Sequence, residues 1–216
     1  MLAAIRSWPR RIRDSLRQEG TRSALMRFLL SPVYRAAAVL VRPIDVHFDE
    51  RSPVQTRPMS EDDAEAMAKQ RLEYDPAALK QRLRRGHQCF LSVVSGDLVS
   101  WRWVSTGKAE MGELDLVLPL REDEIYTYDF YTVPGARGKQ VGRSARRALD
   151  EEYRSRGFHT VVSIAALGRG PYGAGNRWQA ATIRTLRLGP FRKVWVKTYG
   201  PHAERWRETL KELRWA

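Results

Sequence analysis

Residues 124–156 read EIYTYDFYTVPGARGKQVGRSARRALDEEYRSR and contain a complete strand, turn and helix. Ile125–Val133 is dense in aromatic and β-branched residues, with Asp129 as its one charge, which is the composition of a strand covered on both faces. Pro134 and Gly135 end it. The basic loop Ala136–Ser144 opens directly into a helix expected to run to about Arg156, because Val141, Ala145, Leu149 and Tyr153 recur at the spacing of one helical face.

The first N–H groups of such a helix have no intrahelical partner, and the helix dipole adds partial positive charge there. Gly138 and Gly142 let backbone approach an anion closely, while Arg137, Lys139 and Arg143 bring full charges. The ligand this favours is a phosphate or pyrophosphate. Charge alone is equally compatible with an ordinary βα turn carrying a solvated basic face.

The run Arg137-Gly138-Lys139-Gln140-Val141-Gly142-Arg143, after a strand ending Val-Pro, resembles the coenzyme-binding motif Q/R-x-x-G-x-G/A of the GNAT superfamily of N-acyltransferases. Arg137 and Gly142 match the motif, and Gln140 stands where its first glycine usually is. The resemblance covers about Val54–Tyr199. It implies a mixed α/β (α+β) fold with a central, mostly antiparallel twisted sheet, splayed at the acyl-donor site, and helices on both faces. It also implies acyl-coenzyme A, most simply acetyl-CoA, as co-substrate, with loop amides holding its pyrophosphate. The implied cofactor-binding residues are Tyr131, Thr132 and Val133 as strand backbone, and Arg137, Gly138, Lys139, Gln140, Val141, Gly142 and Arg143 as the loop. Asn176 corresponds to an asparagine of the family, about two residues further back than usual. Thr185 then occupies the place of a tyrosine that often protonates the departing thiolate, leaving Tyr172 or Tyr199 as substitutes.

Around this stretch, Val54–Pro58 reads as a short strand, followed by a helix capped by Ser60 with acids in its first turn. Pro76–Arg85 reads as a second helix ended by Gly86. Gln88–Ser95 and Leu98–Ser105 form a hairpin about Gly96-Asp97, with Trp101 and Trp103 on one face as core. A polar turn near Gly107–Gly112 leads to a strand at Glu113–Leu120. Beyond the central helix, His159–Leu167 is a buried strand. The loop Gly168-Arg169-Gly170-Pro171-Tyr172-Gly173 matches a dinucleotide fingerprint, but no acid follows about 20 positions on to take a ribose, so it is an acceptor-side loop or connector. Asn176–Leu188 is expected to be a helix and Phe191–Tyr199 a strand. Residues 201–216 form a C-terminal amphipathic helix with Trp206, Leu210 and Leu213 on one face.

The chain has 216 residues, 43% hydrophobic, enough for one domain with a real core. One cysteine, Cys89, excludes an internal disulfide framework and suits a reducing, cytoplasmic compartment. The net charge of +13 calls for acidic partners. Met1–Pro43 carries nine arginines against Asp14 and Glu19. We read residues 1–43 as a basic, amphipathic helical extension, either packed on the acyltransferase domain (44–200) or laid on an anionic membrane surface at the inner face. Its apolar run is broken by Arg27, Pro32 and Arg35, which argues against a spanning helix. Histidines 47, 87, 159 and 202 are scattered, so no metal is expected.

Aminolysis of a thioester needs a proton acceptor for the amine and a donor for the thiolate. Asp129 is the first candidate for base or amine anchor, with Glu113 or Asp115 next and Tyr199 as acid. The reading is an N-acyltransferase of EC 2.3.1 type acting on a small-molecule or peptide amine. Two others stand beside it: a peripheral-membrane enzyme using longer-chain acyl-CoA or acidic acyl-carrier-protein donors, and a non-catalytic binding module of the same fold. Nucleic acid is the weakest partner, since no recognition helix or stacking platform is legible.

Overall fold

In the computed structural model the described residues are 34–44, 54–70, 74–112, 114–166, 178–188, 190–200 and 203–216. In chain order they form β1 (Tyr34–Pro43), β2 (Gln55–Pro58), α1 (Ala64–Gln70), α2 (Pro76–Arg84), β3 (Gln88–Val94), β4 (Asp97–Thr106), β5 (Lys108–Met111) and β6 (Leu116–Pro119). There follow β7 (Glu124–Thr132), α3 (Val141–Ser155), β8 (Thr160–Ala166), β9 (Gln179–Leu188), β10 (Phe191–Thr198), α4 (Ala203–Lys211) and β11 (Arg214–Trp215). One eight-stranded sheet runs β10-β9-β1-β8-β7-β4-β3-β2, and a small sheet runs β11-β6-β5. Among the described strands of the large sheet only β7 and β8 are parallel neighbours. Helix α3 connects them, as a parallel pair requires.

Three apolar clusters hold the layers together. Val141, Ala145, Leu149 and Tyr153 of α3 are all buried, and Leu149 and Tyr153 pack with Phe90, Val104, Ile125 and Val161 from four strands. On the opposite face α1 and α2 bring Met67 and Leu79 onto Trp101 and Trp103. Further along that face Trp206 and Leu210 of α4 meet Met111 and Leu116 of the small sheet over Val39, Val162 and Ile183. Local caps agree with the sequence: Asp75 accepts from Ala77 N–H ahead of Pro76, and the Asp63 carboxylate accepts from both N–H and Oγ of Ser60.

Two expected helices are strands. Tyr34–Pro43, expected to belong to a helical extension, is β1 and lies inside the sheet between β8 and β9. An apolar run such as Ala36–Val41 has no period that separates a buried strand from a buried helix, and two waiting strand edges decide it. Leu40 is buried. The rest of that expected extension, residues 1–33, lies outside the described residues. Asn176–Leu188 was the second expected helix, and from Gln179 it is β9, paired to β1 on one side and β10 on the other. Thr182, Ile183 and Thr185 favour that outcome, because β-branched side chains lose less freedom on a pleated surface. The C-terminal helix ends at Lys211, and Arg214–Trp215 pairs with β6. The polar turn expected near Gly107–Gly112 contains β5, which pairs with β6 in the small sheet.

β1 is also tied to α3 by charge. Arg42 donates from Nη1 and Nη2 to the two carboxylate oxygens of Asp150 at 2.8 and 2.7 Å, and Asp150 is fully buried. Removing one member of a buried pair strands the other charge, so Asp150→Ala is expected to lower unfolding free energy by about 3–5 kcal/mol in urea titrations. A chain starting at Ile44 lacks the strand between β8 and β9 and is expected to show no cooperative urea transition; a sharp transition at the full-length midpoint would refute the assignment of β1.

Candidate active site

β7 and β8 pair only over Glu124–Thr127 against Thr160–Ser163. Beyond that rung β7 stays on β4 as far as Thr132 opposite Ser100, while β8 stays on β1 as far as Ala166 opposite Ala37. Each strand keeps its outer neighbour and loses the inner one, so a gap opens at their C-terminal ends. A bulge marks the same place: Asp129 and Phe130 together face Arg102, between the pairs Tyr128–Trp103 and Tyr131–Trp101. Asp129 is in the left-handed region at φ 44°. The extra residue re-aims the strand. Tyr128, Asp129 and Tyr131 thus turn to the face under α1 and α2, and Phe130 and Thr132 to the face under α3.

The turn after β7 leads into α3 through Gly138 at φ 78° and Gln140 at φ 62°. Gln140 therefore keeps, at a cost of roughly 1–2 kcal/mol, the left-handed backbone that a glycine would adopt freely. Its side-chain Oε1 accepts from Arg143 Nη1 at 3.2 Å, and Gln140 borders the open space beside the loop. Among the described residues the N–H groups of Gly138, Gln140, Val141 and Gly142 have no hydrogen-bond acceptor, whereas those of Arg143 and Ser144 reach the Gln140 carbonyl at 2.9 and 3.2 Å. A Cβ added at Gly138 or Gly142 would meet nothing within 4 Å, so both open onto free space. That space is a cleft of about 580 Å³ bordered by Arg102, Phe130, Thr132, Gly138, Gly142 and Arg143. Unpaired amides, a helix N-terminus and guanidinium groups around an open cleft suit a diphosphate.

The strand backbone expected to meet the ligand is partly engaged. Val133 N–H donates to Val99 O at 2.9 Å, Ser100 Oγ donates to Tyr131 O at 2.6 Å, and Arg137 Nε donates to Thr132 O at 3.1 Å. Arg137 also lies over the Tyr131 ring. It thus holds the end of the strand rather than standing free over the loop. Lys139 is exposed.

On the other face Asp129 is held from two sides. Tyr74 Oη donates to Oδ1 at 2.6 Å and Arg82 Nη1 donates to Oδ2 at 2.7 Å. Trp101 Nε1 donates to the Tyr74 hydroxyl at 3.1 Å, and the Arg82 guanidinium sits 5.3 Å from the Trp103 ring. Burial alone would lower the Arg82 pKa, but the Asp129 hydrogen bond and charge outweigh it and the net shift is upward. Tyr128 contacts His87 Nδ1 at 2.5 Å. Burial pushes the Tyr128 phenol above its ordinary range and His87 below its own. With the phenol protonated and the imidazole neutral, the tautomer decides whether the Tyr128 O–H donates to Nδ1 or Nδ1–H donates to the phenol oxygen. Tyr74 and Arg82 carry no motif that marks them in sequence; only the fold brings them to Asp129. Cys89 is buried, and burial raises its thiol pKa, as expected for a structural cysteine.

The remaining sequence candidates lie apart or outside the described residues. Tyr199 follows β10, four strands from β7, or about 19 Å at the usual inter-strand spacing. Its hydroxyl lies 3.2 Å from Thr182 Oγ1. Thr185 is buried on β9 and takes no part in the gap. Asp115 pairs with Arg35 and Arg187 at the small sheet. Glu113, Tyr172 and Asn176 lie outside the described residues, as does the loop from Gly168 to Gly173. Among the described residues no group of acids, histidines and cysteines is placed to hold a metal, and no helix is long and apolar enough to cross a membrane.

No family model and no curated protein matches the chain. Solved structures similar to it include acetyltransferases. A conserved Staphylococcus epidermidis protein of unknown function has a TM-score of 0.46 at 10% identity, over 70% of this chain and 59% of its own. The ribosomal-protein-alanine N-acetyltransferase of Brucella melitensis biovar Abortus has 0.41 at 17% identity, over 51% and 78%. A predicted acetyltransferase with acetyl-CoA from Clostridium acetobutylicum has 0.38 at 13% identity, over 52% and 81%.

The His87 environment gives a pH prediction. A histidine whose folded pKa is depressed binds its proton more readily in the unfolded chain, so stability is full above about pH 6.5 and is lost as pH falls toward the folded value. Urea midpoints should fall between about pH 7 and 5.5 in the wild type, and His87→Gln should flatten that slope. Carboxylates held low by cationic partners, such as Glu61 by Arg84 and Glu110 by Lys108, act only below about pH 4.5.

Proposed function

We propose that the chain is an N-acyltransferase that moves an acyl group, most simply acetyl, from coenzyme A to an amine. The observation that carries this reading is the parting of β7 from β8 beside a helix mouth whose first amides are uncommitted. Acyl-coenzyme A would be held by the amides of Gly138, Gln140, Val141 and Gly142, with Arg102 and Arg143 balancing its diphosphate; it supplies the activated thioester. Phe130 and Thr132 border the cleft on the donor side. Asp129 stands at the bulge with both oxygens fixed by Tyr74 and Arg82, so its carboxylate is held in one orientation as an anchor for the acceptor amine. Trp101 and Tyr131 stack beside it with ring centroids 4.9 Å apart.

Two substitutions separate binding from chemistry. Gly142→Asp places a carboxylate in open space at the helix start, where an acid suits the dipole, so the thermal midpoint should hold within a few degrees. Acetyl-CoA at a hundredfold excess over its dissociation constant should stabilise the wild type by about 2.7 kcal/mol and leave Gly142→Asp unshifted. Asp129→Asn should keep that donor-induced shift and lower turnover of amines at least a hundredfold, roughly 2.7 kcal/mol in activation free energy. Donor binding that survives Gly142→Asp would remove the diphosphate from this loop.

A further inference from the structure

The β9–β10 hairpin is an exposed, cationic margin of the sheet. Residues Trp178–Gly200 contain Arg184, Arg187, Arg192, Lys193 and Lys197 and no Asp or Glu. Pairing places Arg184 beside Trp195, Leu186 beside Lys193 and Leu188 beside Phe191, so these six side chains share one face. Ile183 and Val194 point to the other face and join the core. On the first face Leu188, Phe191 and Trp195 are 52%, 54% and 40% exposed. Lys193 Nζ lies 5.0 Å from the Trp195 ring, and Lys197 Nζ 5.3 Å from the Tyr199 ring. Arg187 is balanced by Asp115 at 3.7 Å. Arg184, Lys193 and Lys197 enter no ion pair among the described residues. Among the described residues β10 is an edge strand of the large sheet.

We propose that this face docks on an anionic phospholipid bilayer. Large apolar side chains left in water beside unbalanced cations fit a plane that is apolar inside and phosphate-lined at its surface. Leu188, Phe191 and Trp195 would enter the acyl boundary, and Arg184, Lys193 and Lys197 would meet headgroup phosphates. An acidic polypeptide would satisfy the cations alone and leave Leu188 and Phe191 wet. The inference is independent of acyl transfer.

The test is flotation of the full chain with vesicles of phosphatidylglycerol and phosphatidylcholine, against phosphatidylcholine alone. The full chain is expected to float with the anionic vesicles only, and less so as salt rises. The double change Lys193→Glu, Lys197→Glu should lower the partition coefficient at least tenfold, as should Phe191→Ser with Trp195→Ser, while circular dichroism melts stay superimposable. Brominated acyl chains should quench wild-type tryptophan fluorescence, and Trp195→Phe should lose most of that quenching. Absence of flotation would overturn the proposal. So would flotation unchanged in both double variants, which would place the contact elsewhere, or binding to soluble polyglutamate without binding to vesicles.

Discussion

The pairing of β7 with β8 lasts from Glu124–Thr160 to Thr127–Ser163 and then stops, and the site depends on that stop. Two parallel strands that remained paired would leave no room between their C-terminal ends. β8 continues along β1 to Ala166 and β7 continues along β4 to Thr132, so each keeps the hydrogen bonds of its outer edge while the inner edges come apart. β1 is thus essential to the gap, and the buried Arg42–Asp150 pair ties it to the helix whose first turn faces the cleft. An unpaired strand edge inside a sheet is costly unless its groups find other partners. Arg137 taking the Thr132 carbonyl is such a substitute.

The bulge acts with the gap. By setting Asp129 and Phe130 against Arg102 alone, it breaks the strand's alternation, so that Asp129 shares the face of Tyr128 and Phe130 takes the other. The donor-side cleft gains Phe130, and the other face gains a carboxylate gripped by Tyr74 and Arg82. The left-handed backbone at Asp129 and again at Gln140 is strain at the two ends of one short segment, and both ends border the candidate site. The hydrogen bonds of Asp129 with α2, and of Gln140 with Arg143, oppose relaxation of that strain.

Much of this could be read from residues 124–156. The helix face Val141, Ala145, Leu149 and Tyr153 is the buried face of α3, and Trp101 with Trp103 are core. Local chemistry sufficed there because period and burial agree. It did not suffice for Tyr34–Pro43 or Gln179–Leu188. The state of each is set by neighbours more than 100 residues away or, for the second, by the strand that follows it. Reading the second as a helix also placed Thr185 at a catalytic address that the fold does not provide. Arg82 was invisible for another reason: its place on α2 looks like any solvated helical arginine until the bulge brings Asp129 beneath it. Gln140 shows the opposite case, a side chain that departs from the motif while the backbone keeps a glycine-like geometry.

The central claim is that the amides at the start of α3 hold a diphosphate beside a parted strand pair. Backbone amide NMR during titration with coenzyme A tests it most directly. The resonances of Gly138, Gln140, Val141 and Gly142 should move downfield together, saturating with one ligand per chain, because each N–H gains a charged acceptor it lacks in the free protein. Saturable binding in which those four stay in place, while amides elsewhere respond, would contradict it.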